Sequence, residues 1–222
     1  MKLAHYDFDN VFDIVPEKVN ILIIEPEDRF FDYCSELSGQ IAGGEGNFIL
    51  SQGDMGLRLD KSAVFLWDYL SLRARDKKIT PKLYSSLQQI AENHFLAEYQ
   101  NICMMFADFF AKLNAESDCP ISYDEEGGME ALFKAFDVHI EEEEGLLEKL
   151  LLFVRLNVAY FKTKCFFFAN LKTVLPERSL AMFYHEMQLN DVCIFLLENT
   201  QKPKLAGEVV TIIDRDLCEI LA

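Results

Sequence analysis

Two stretches decide the fold, Lys162 to Leu171 (KTKCFFFANL) and Asp191 to Glu198 (DVCIFLLE). Each is a continuous apolar run closed by polar residues, and a connection of helix length joins them. A half-exposed strand alternates in polarity, whereas a strand covered on both faces does not, so these runs read as two strands of a buried parallel sheet. That is the second half of a phosphate-binding α/β fold. The first half should carry a loop of the form G-x-x-x-x-G-K-[ST], whose backbone amides hold phosphate and whose Lys neutralises it. No such loop occurs. The Gly-rich segment Gly39 to Gly46 (GQIAGGEG) has no Lys after its last Gly and continues as Asn47-Phe48.

Working outward, Val19 to Ile24 (VNILII) is a short buried strand stopped by Glu25-Pro26, and Glu27 to Leu37 carries a helical apolar period. Further strands are expected at Asn47 to Leu50 and at Ala63 to Tyr69. The period changes after Thr80-Pro81, a helix start with Pro in the first turn. Leu83, Leu87 and Ile90 recur at helical spacing, and Phe95, Tyr99, Ile102, Phe106, Phe109 and Leu113 form a seam of alternating steps of four and three. A second stripe, Leu147, Leu150, Val154, Val158 and Phe161, has the same spacing and is expected to pack antiparallel to the first. Between them lie an acidic irregular segment Asp118 to Glu126, a short helix Met129 to Phe136, an expected short strand Val138 to Ile140 and the run Glu141 to Glu144. The fold class is therefore α/β: a head with a mostly parallel sheet, residues 1–78 and 162–222, interrupted by an inserted α-helical leg, residues 79–161.

Half of the 222 residues are apolar, enough for a sizeable core. The formal charge of -16 argues against a surface coated for nonspecific contact with nucleic acid or membrane, so any DNA-binding cations must be focused locally. Cys34, Cys103, Cys119, Cys165, Cys193 and Cys218 stand singly, mostly inside apolar runs, and read as reduced core residues of an intracellular, cytoplasmic protein. The N-terminal MKLAHYDFDN has acids where a signal peptide needs an apolar stretch, and no run approaches the ~20 apolar residues of a membrane span.

The order of the pieces Asn20 to Phe30, Leu132 to Ala135, Lys162 to Asn170, the helix after Pro176 and Ile194 to Glu198 resembles the Csn-two family, the CRISPR type II-A protein of spacer acquisition. The resemblance spans almost the full length and lies in order and spacing, since each motif by itself is mostly apolar. It implies a P-loop-like (RecA-like) head without ATPase activity or bound nucleotide, and a helical leg. It also implies a homotetrameric ring that holds double-stranded DNA ends in a basic hole, supported by calcium, acting beside the integrase pair and the RNA-guided nuclease.

Candidate sites follow from both lines. Asp118, Asp124, Glu125 and Glu126 supply the hard oxygens that calcium takes, in a Gly-flanked segment where the family binds calcium. The segment lacks the EF-hand pattern and reads equally as a solvated acidic turn. The densest cations are Arg73, Arg75, Lys77 and Lys78 with Lys82, followed by Lys162 with Lys164 and by Lys202 with Lys204. Phosphate contacts need several such charges converging, and a ring of four subunits multiplies each one. No catalytic constellation emerges. His185-Glu186 lacks the second His of a zinc protease, His5, His94 and His139 have no partner pattern, and no G-x-S-x-G elbow occurs. Glu198 reads as strand-end structure, and Trp67 as core. The expectation is non-enzymatic, sequence-independent binding of DNA ends during uptake of new spacers. The alternatives are a divergent P-loop-type NTPase, or an acidic adaptor that binds only proteins.

Overall fold

Cys165–Ala169 and Cys193–Glu198 lie side by side as parallel strands, with Phe166 opposite Ile194 and Phe168 opposite Leu196, in a computed structural model that describes residues 1–123 and 128–222. In chain order the elements are β1 (Lys2–Ala4), β2 (Phe12–Asp13), β3 (Val19–Ile24), α1 (Glu27–Ile41), β4 (Ile49–Gln52), β5 (Met55–Leu57), α2 (Leu59–Ser62) and β6 (Ala63–Leu66). There follow α3 (Ile79–His94), α4 (Leu96–Glu116), α5 (Met129–Ala135), α6 (Leu146–Phe161), β7 (Cys165–Ala169), α7 (Leu171–Val174), α8 (Glu177–Leu189), β8 (Cys193–Glu198), β9 (Glu208–Ile213) and β10 (Glu219–Leu221). The chain divides into two compact units, residues 1–73 with 143–222, and residues 74–142.

The first unit is built on a six-stranded sheet in the order β10-β9-β3-β8-β7-β6, parallel throughout except for β10 at one edge. Successive side chains of a strand point to opposite faces, and here both faces are covered, which is why the runs are apolar without alternation. Ile21, Phe166, Phe168, Ile194 and Leu196 enter one core together with Leu147, Leu150 and Val154 of α6 and Leu180, Phe183 and Met187 of α8. Leu22, Ile24, Cys165, Phe167, Phe195 and Leu197 enter the other, with Tyr33 and Leu37 of α1 and with Leu3, Phe12 and Leu50. Those last three come from a second, antiparallel sheet, β2-β1-β4-β5.

Several expectations change here. The strand expected at Asn47 to Leu50 is β4, and it belongs to the antiparallel sheet; only Leu50 of its four residues is buried, as befits a sheet with one wet face. The stripe Leu147, Leu150, Val154 does not serve a helical hairpin: it is consumed by the sheet core, so α6 belongs to the first unit and the helical insertion ends before it. No strand forms at Val138 to Ile140, where the Val138 amide is spent on the Phe133 carbonyl (2.9 Å) at the end of α5. Trp67 lies one residue past the end of β6 and is 66% exposed, so it is not core.

The second unit consists of α3, α4 and α5. Tyr84 of α3 meets Phe133 of α5 with ring centroids 5.6 Å apart. By contrast α4 has no buried residue along its 21 positions, although its seam carries Ile102, Phe106, Phe109 and Leu113.

Candidate functional site

A phosphate site on a parallel sheet is made by the turn between a strand and the helix that follows, where free amides and the positive end of the helix dipole face the anion. At the first such turn here, β3 passes into α1 through Glu25 and Pro26 alone. The Glu25 amide is already bonded to the Ile213 carbonyl (3.0 Å), Pro26 has no N–H, and the first turn of α1 carries Glu27 and Asp28. This turn has neither the glycines nor the Lys of a phosphate loop, and Glu27 and Asp28 set two negative charges against the single Arg29 at the start of α1. At the end of β7, Asn170 stands in the left-handed region (φ 55°). Its amide donates to the Leu197 carbonyl (2.8 Å) and its Oδ1 accepts the Asn199 amide (3.1 Å), so it clasps the ends of β7 and β8 together. An amide in this use is a brace between strands, not a ligand for magnesium.

The polar groups most deeply set in the first unit were not legible as a group in the sequence. Lys172 of α7 donates from Nζ to both carboxylate oxygens of Glu208 (2.7 Å each) and to the Pro203 carbonyl (2.8 Å), with both side chains almost wholly buried. Tyr184 of α8 donates its hydroxyl to Glu208 Oε1 (3.0 Å), and the Leu205 amide donates to Oε2 (2.8 Å). Burial pushes the Tyr184 hydroxyl up, and the adjacent Glu208 carboxylate adds to it. Glu198, at the end of β8, accepts the Lys172 amide at Oε1 (2.9 Å), while its other oxygen is buried with no partner. Burial is the main reason its carboxyl is pushed up to about 7; Lys172 and Lys202 oppose the shift and Glu208 adds to it. The cluster pins the start of α7 and the segment between β8 and β9 to the sheet. It holds structure, and nothing in it is positioned as nucleophile and base.

The cations divide by what already holds them. Arg73, at the end of the first unit's leading segment, donates from Nη1 to the carbonyls of Leu70 (3.2 Å) and Leu72 (2.9 Å). In the second unit the Arg75 guanidinium is paired with Asp137. Lys77, Lys78 and Lys82 are exposed and make no ion pair among the described residues; they surround the start of α3, whose first turn has no acid. In the first unit Lys162 sits in the left-handed conformation (φ 58°) that ends α6, and its Nζ donates to the Ala159 carbonyl (3.1 Å). Lys164 donates to Gln52 Oε1 (3.1 Å) and Lys204 to the Ala222 carbonyl (2.8 Å). Of the six expected DNA contacts, Arg73, Arg75, Lys162 and Lys164 thus have protein partners, and the Lys77 and Lys78 side chains have none among the described residues.

Of the expected metal ligands, Asp118 is exposed, and Asp124, Glu125 and Glu126 lie outside the described residues. Among the described residues no group of three His, Cys, Asp or Glu side chains could hold a metal ion. The cysteines are all free, but only Cys165 and Cys193 are buried; Cys119 and Cys218 are exposed.

Comparison with known proteins sets these features in context. The family model described as CRISPR-associated protein (Cas_Csn2) matches residues 40–217. The chain belongs to the Cas_Csn2 family. This membership gives it a CRISPR-associated role; the matched residues take in Leu132 to Ala135, Lys162 to Asn170 and Ile194 to Glu198, and Asn20 to Phe30 lies before them. Among solved structures, Stu0660 of Streptococcus thermophilus is similar at 10% identity and a TM-score of 0.61, over 96% of this chain and 75% of that one. The likeness shows a shared mixed α/β fold with a largely parallel sheet. A putative ABC transporter ATP-binding protein from Pyrococcus furiosus aligns at 10% identity and a TM-score of 0.41, over 95% of this Cas_Csn2 chain and 97% of its own. No curated protein matches the sequence. Among the described residues no helix is long and apolar enough to cross a membrane.

Proposed function

We propose that this Cas_Csn2 protein binds double-stranded DNA ends without sequence preference, as a closed homotetrameric ring, during the acquisition of new CRISPR spacers, and that it does so without catalysing a reaction. Its partners in that task are the integrase proteins and the RNA-guided nuclease of the same system. The P-loop-like head serves as a scaffold that has given up nucleotide chemistry, and the helical insertion serves as the leg. The observation that carries the reading is the cluster Lys77, Lys78 and Lys82 around the start of α3, without an ion pair among the described residues, in a chain of net charge -16. Cations at a helix start oppose the helix dipole, and an anion brought to them relieves that opposition; Asp76, whose Oδ1 accepts the Lys78 amide (2.6 Å), is an acid already beside them. Repetition around a closed ring sets several such clusters about one duplex, which gives backbone contacts and no base reading.

Two further features support the reading. The β3–α1 turn has no Gly-rich loop and no Lys, and it carries Glu25, Glu27 and Asp28 against the single Arg29. The apolar seam of α4, exposed at Ile102, Phe106, Phe109 and Leu113, is a surface that water does not stabilise and a second subunit would cover. Calcium at the acidic segment from Asp118 to Glu126 is part of the same proposal. The test is retention on a linear duplex against a covalently closed circle of equal length, across a salt series. Linear DNA should be held far better, and both should be lost with added salt. Equal affinity for circle and linear duplex would remove the threading mechanism, and a heat of ATP binding in the presence of Mg²⁺ would return the protein to the NTPases.

A further inference from the structure

Open α/β sheets bind ligands in the crevice outside the carboxyl ends of their strands, and the first unit has a cavity of about 650 Å³ in that place. It opens beside α1 at the carboxyl ends of β6 and β7, and its walls include Phe30, Phe31, Phe65, Trp67, Tyr69 and Asn170. The volume falls in the range of small-molecule sites, which are mostly apolar with a few placed polar groups. Phe31 and Trp67, 70% and 66% exposed, stand at its mouth. No charged side chain lines it, and at the nearby start of α1 Glu27 and Asp28 outnumber the single Arg29, so an anion entering it meets no countercharge in the wall and a net negative helix start. Cys34 in its wall is a neutral thiol, pushed up to about 12 by burial, and not a nucleophile.

One polar group is oriented. Asn170 spends its Oδ1 on the Asn199 amide (3.1 Å), which fixes the side-chain amide and leaves its NH2 group without a partner among the described residues. The Tyr69 hydroxyl donates to the Ala169 carbonyl (2.8 Å), so it has no proton to offer a ligand. The oriented donor is therefore on Asn170; Ser35 and Ser38 of α1 add rotatable hydroxyls, and the rest of the wall is largely apolar and aromatic. We propose that this cavity is a binding site for a small, neutral, planar aromatic molecule carrying one hydrogen-bond acceptor, which stacks on the aromatic wall and accepts from Asn170 Nδ2. The site is separate from the DNA-binding reading and does not depend on it.

The chain supplies its own reporter, because Trp67 is its single tryptophan. Full-length protein labelled with fluorotryptophan gives one fluorine NMR resonance, which is followed during titration with acetophenone and with its anionic counterpart benzoate. Acetophenone should shift the signal to saturation with a dissociation constant on the order of 1 mM, the affinity expected of so small a ligand, and benzoate should leave it in place. Gly39→Leu blocks the cavity from α1: a side chain added at Gly39 meets no atom within 4 Å, and Leu favours the helix over Gly. This variant should keep the melting temperature and lose the shift. If it fails to fold, Ser35→Phe, at an exposed lining position of the same helix, takes its place. A shift that rises without saturating, an equal response to benzoate, or a full response in the folded blocked variant would overturn the site.

Discussion

Glu198 shows how much of this molecule is decided by single side chains that sequence cannot place. Its carboxyl has an ordinary value of 4.5 and is pushed up to about 7 in the fold. Between those values the folded chain holds a proton that the unfolded chain has released, so stability falls as pH rises through that window and levels off above it. The loss should be roughly 3 kcal/mol, and Glu198→Gln, which copies the protonated form, should flatten it in melting curves taken from pH 5 to 8. A variant as pH-sensitive as the parent would show that another group carries the effect. Lys172→Met is expected to cost about 3–5 kcal/mol in denaturant unfolding, because it leaves the Glu208 carboxylate buried without its cation. Neither role was legible in the sequence. The strand-end reading of Glu198 placed the residue but not its burial, since its partner Lys172 lies 26 positions away and Lys172 in turn is 36 from Glu208.

At the scale of elements, period reveals which face of a helix is apolar but not what covers it. The buried strands β3, β7 and β8 were legible because a run of five or six apolar residues has one physical outcome in a sheet covered on both sides. The helices were not, because α4 and α6 carry similar stripes and only α6 meets a sheet. The exposed seam of α4 therefore makes a prediction of its own. Phe106→Glu with Phe109→Glu should abolish self-association in sedimentation while leaving the melting temperature of the chain nearly unchanged, because neither side chain is buried in it. Unchanged association would mean that α4 is not the interface. Likewise Lys77→Glu with Lys78→Glu should weaken retention of any duplex and lower the salt slope by roughly one for each phosphate no longer neutralised. Lys162→Glu, which removes only a tie to the end of α6, should affect DNA far less. The reverse order of effects would move the DNA-binding surface to the start of β7. The six candidate cations were all legible as positions, but which of them were already engaged depended on carbonyls and carboxylates that only folding brings near.

For the whole molecule, charge sets the problem and symmetry the answer proposed for it. A single chain with 37 acidic and 21 basic side chains repels a duplex at distance, and its three lysines at α3, without an ion pair among the described residues, are too few to hold one alone. Closed symmetry repeats those lysines about a common axis without adding a residue. If calcium holds the acidic segment of each subunit, a chelator should lower both the assembled fraction and the affinity for linear DNA, and calcium should restore them. Loss of DNA binding with the assembly intact would separate the two effects and place calcium at the DNA. The most direct measurement is the native mass of the purified chain at low ionic strength. It should be about four times the 25.6 kDa of one chain, whereas a stable monomer would contradict encirclement, because one subunit cannot close around a double helix.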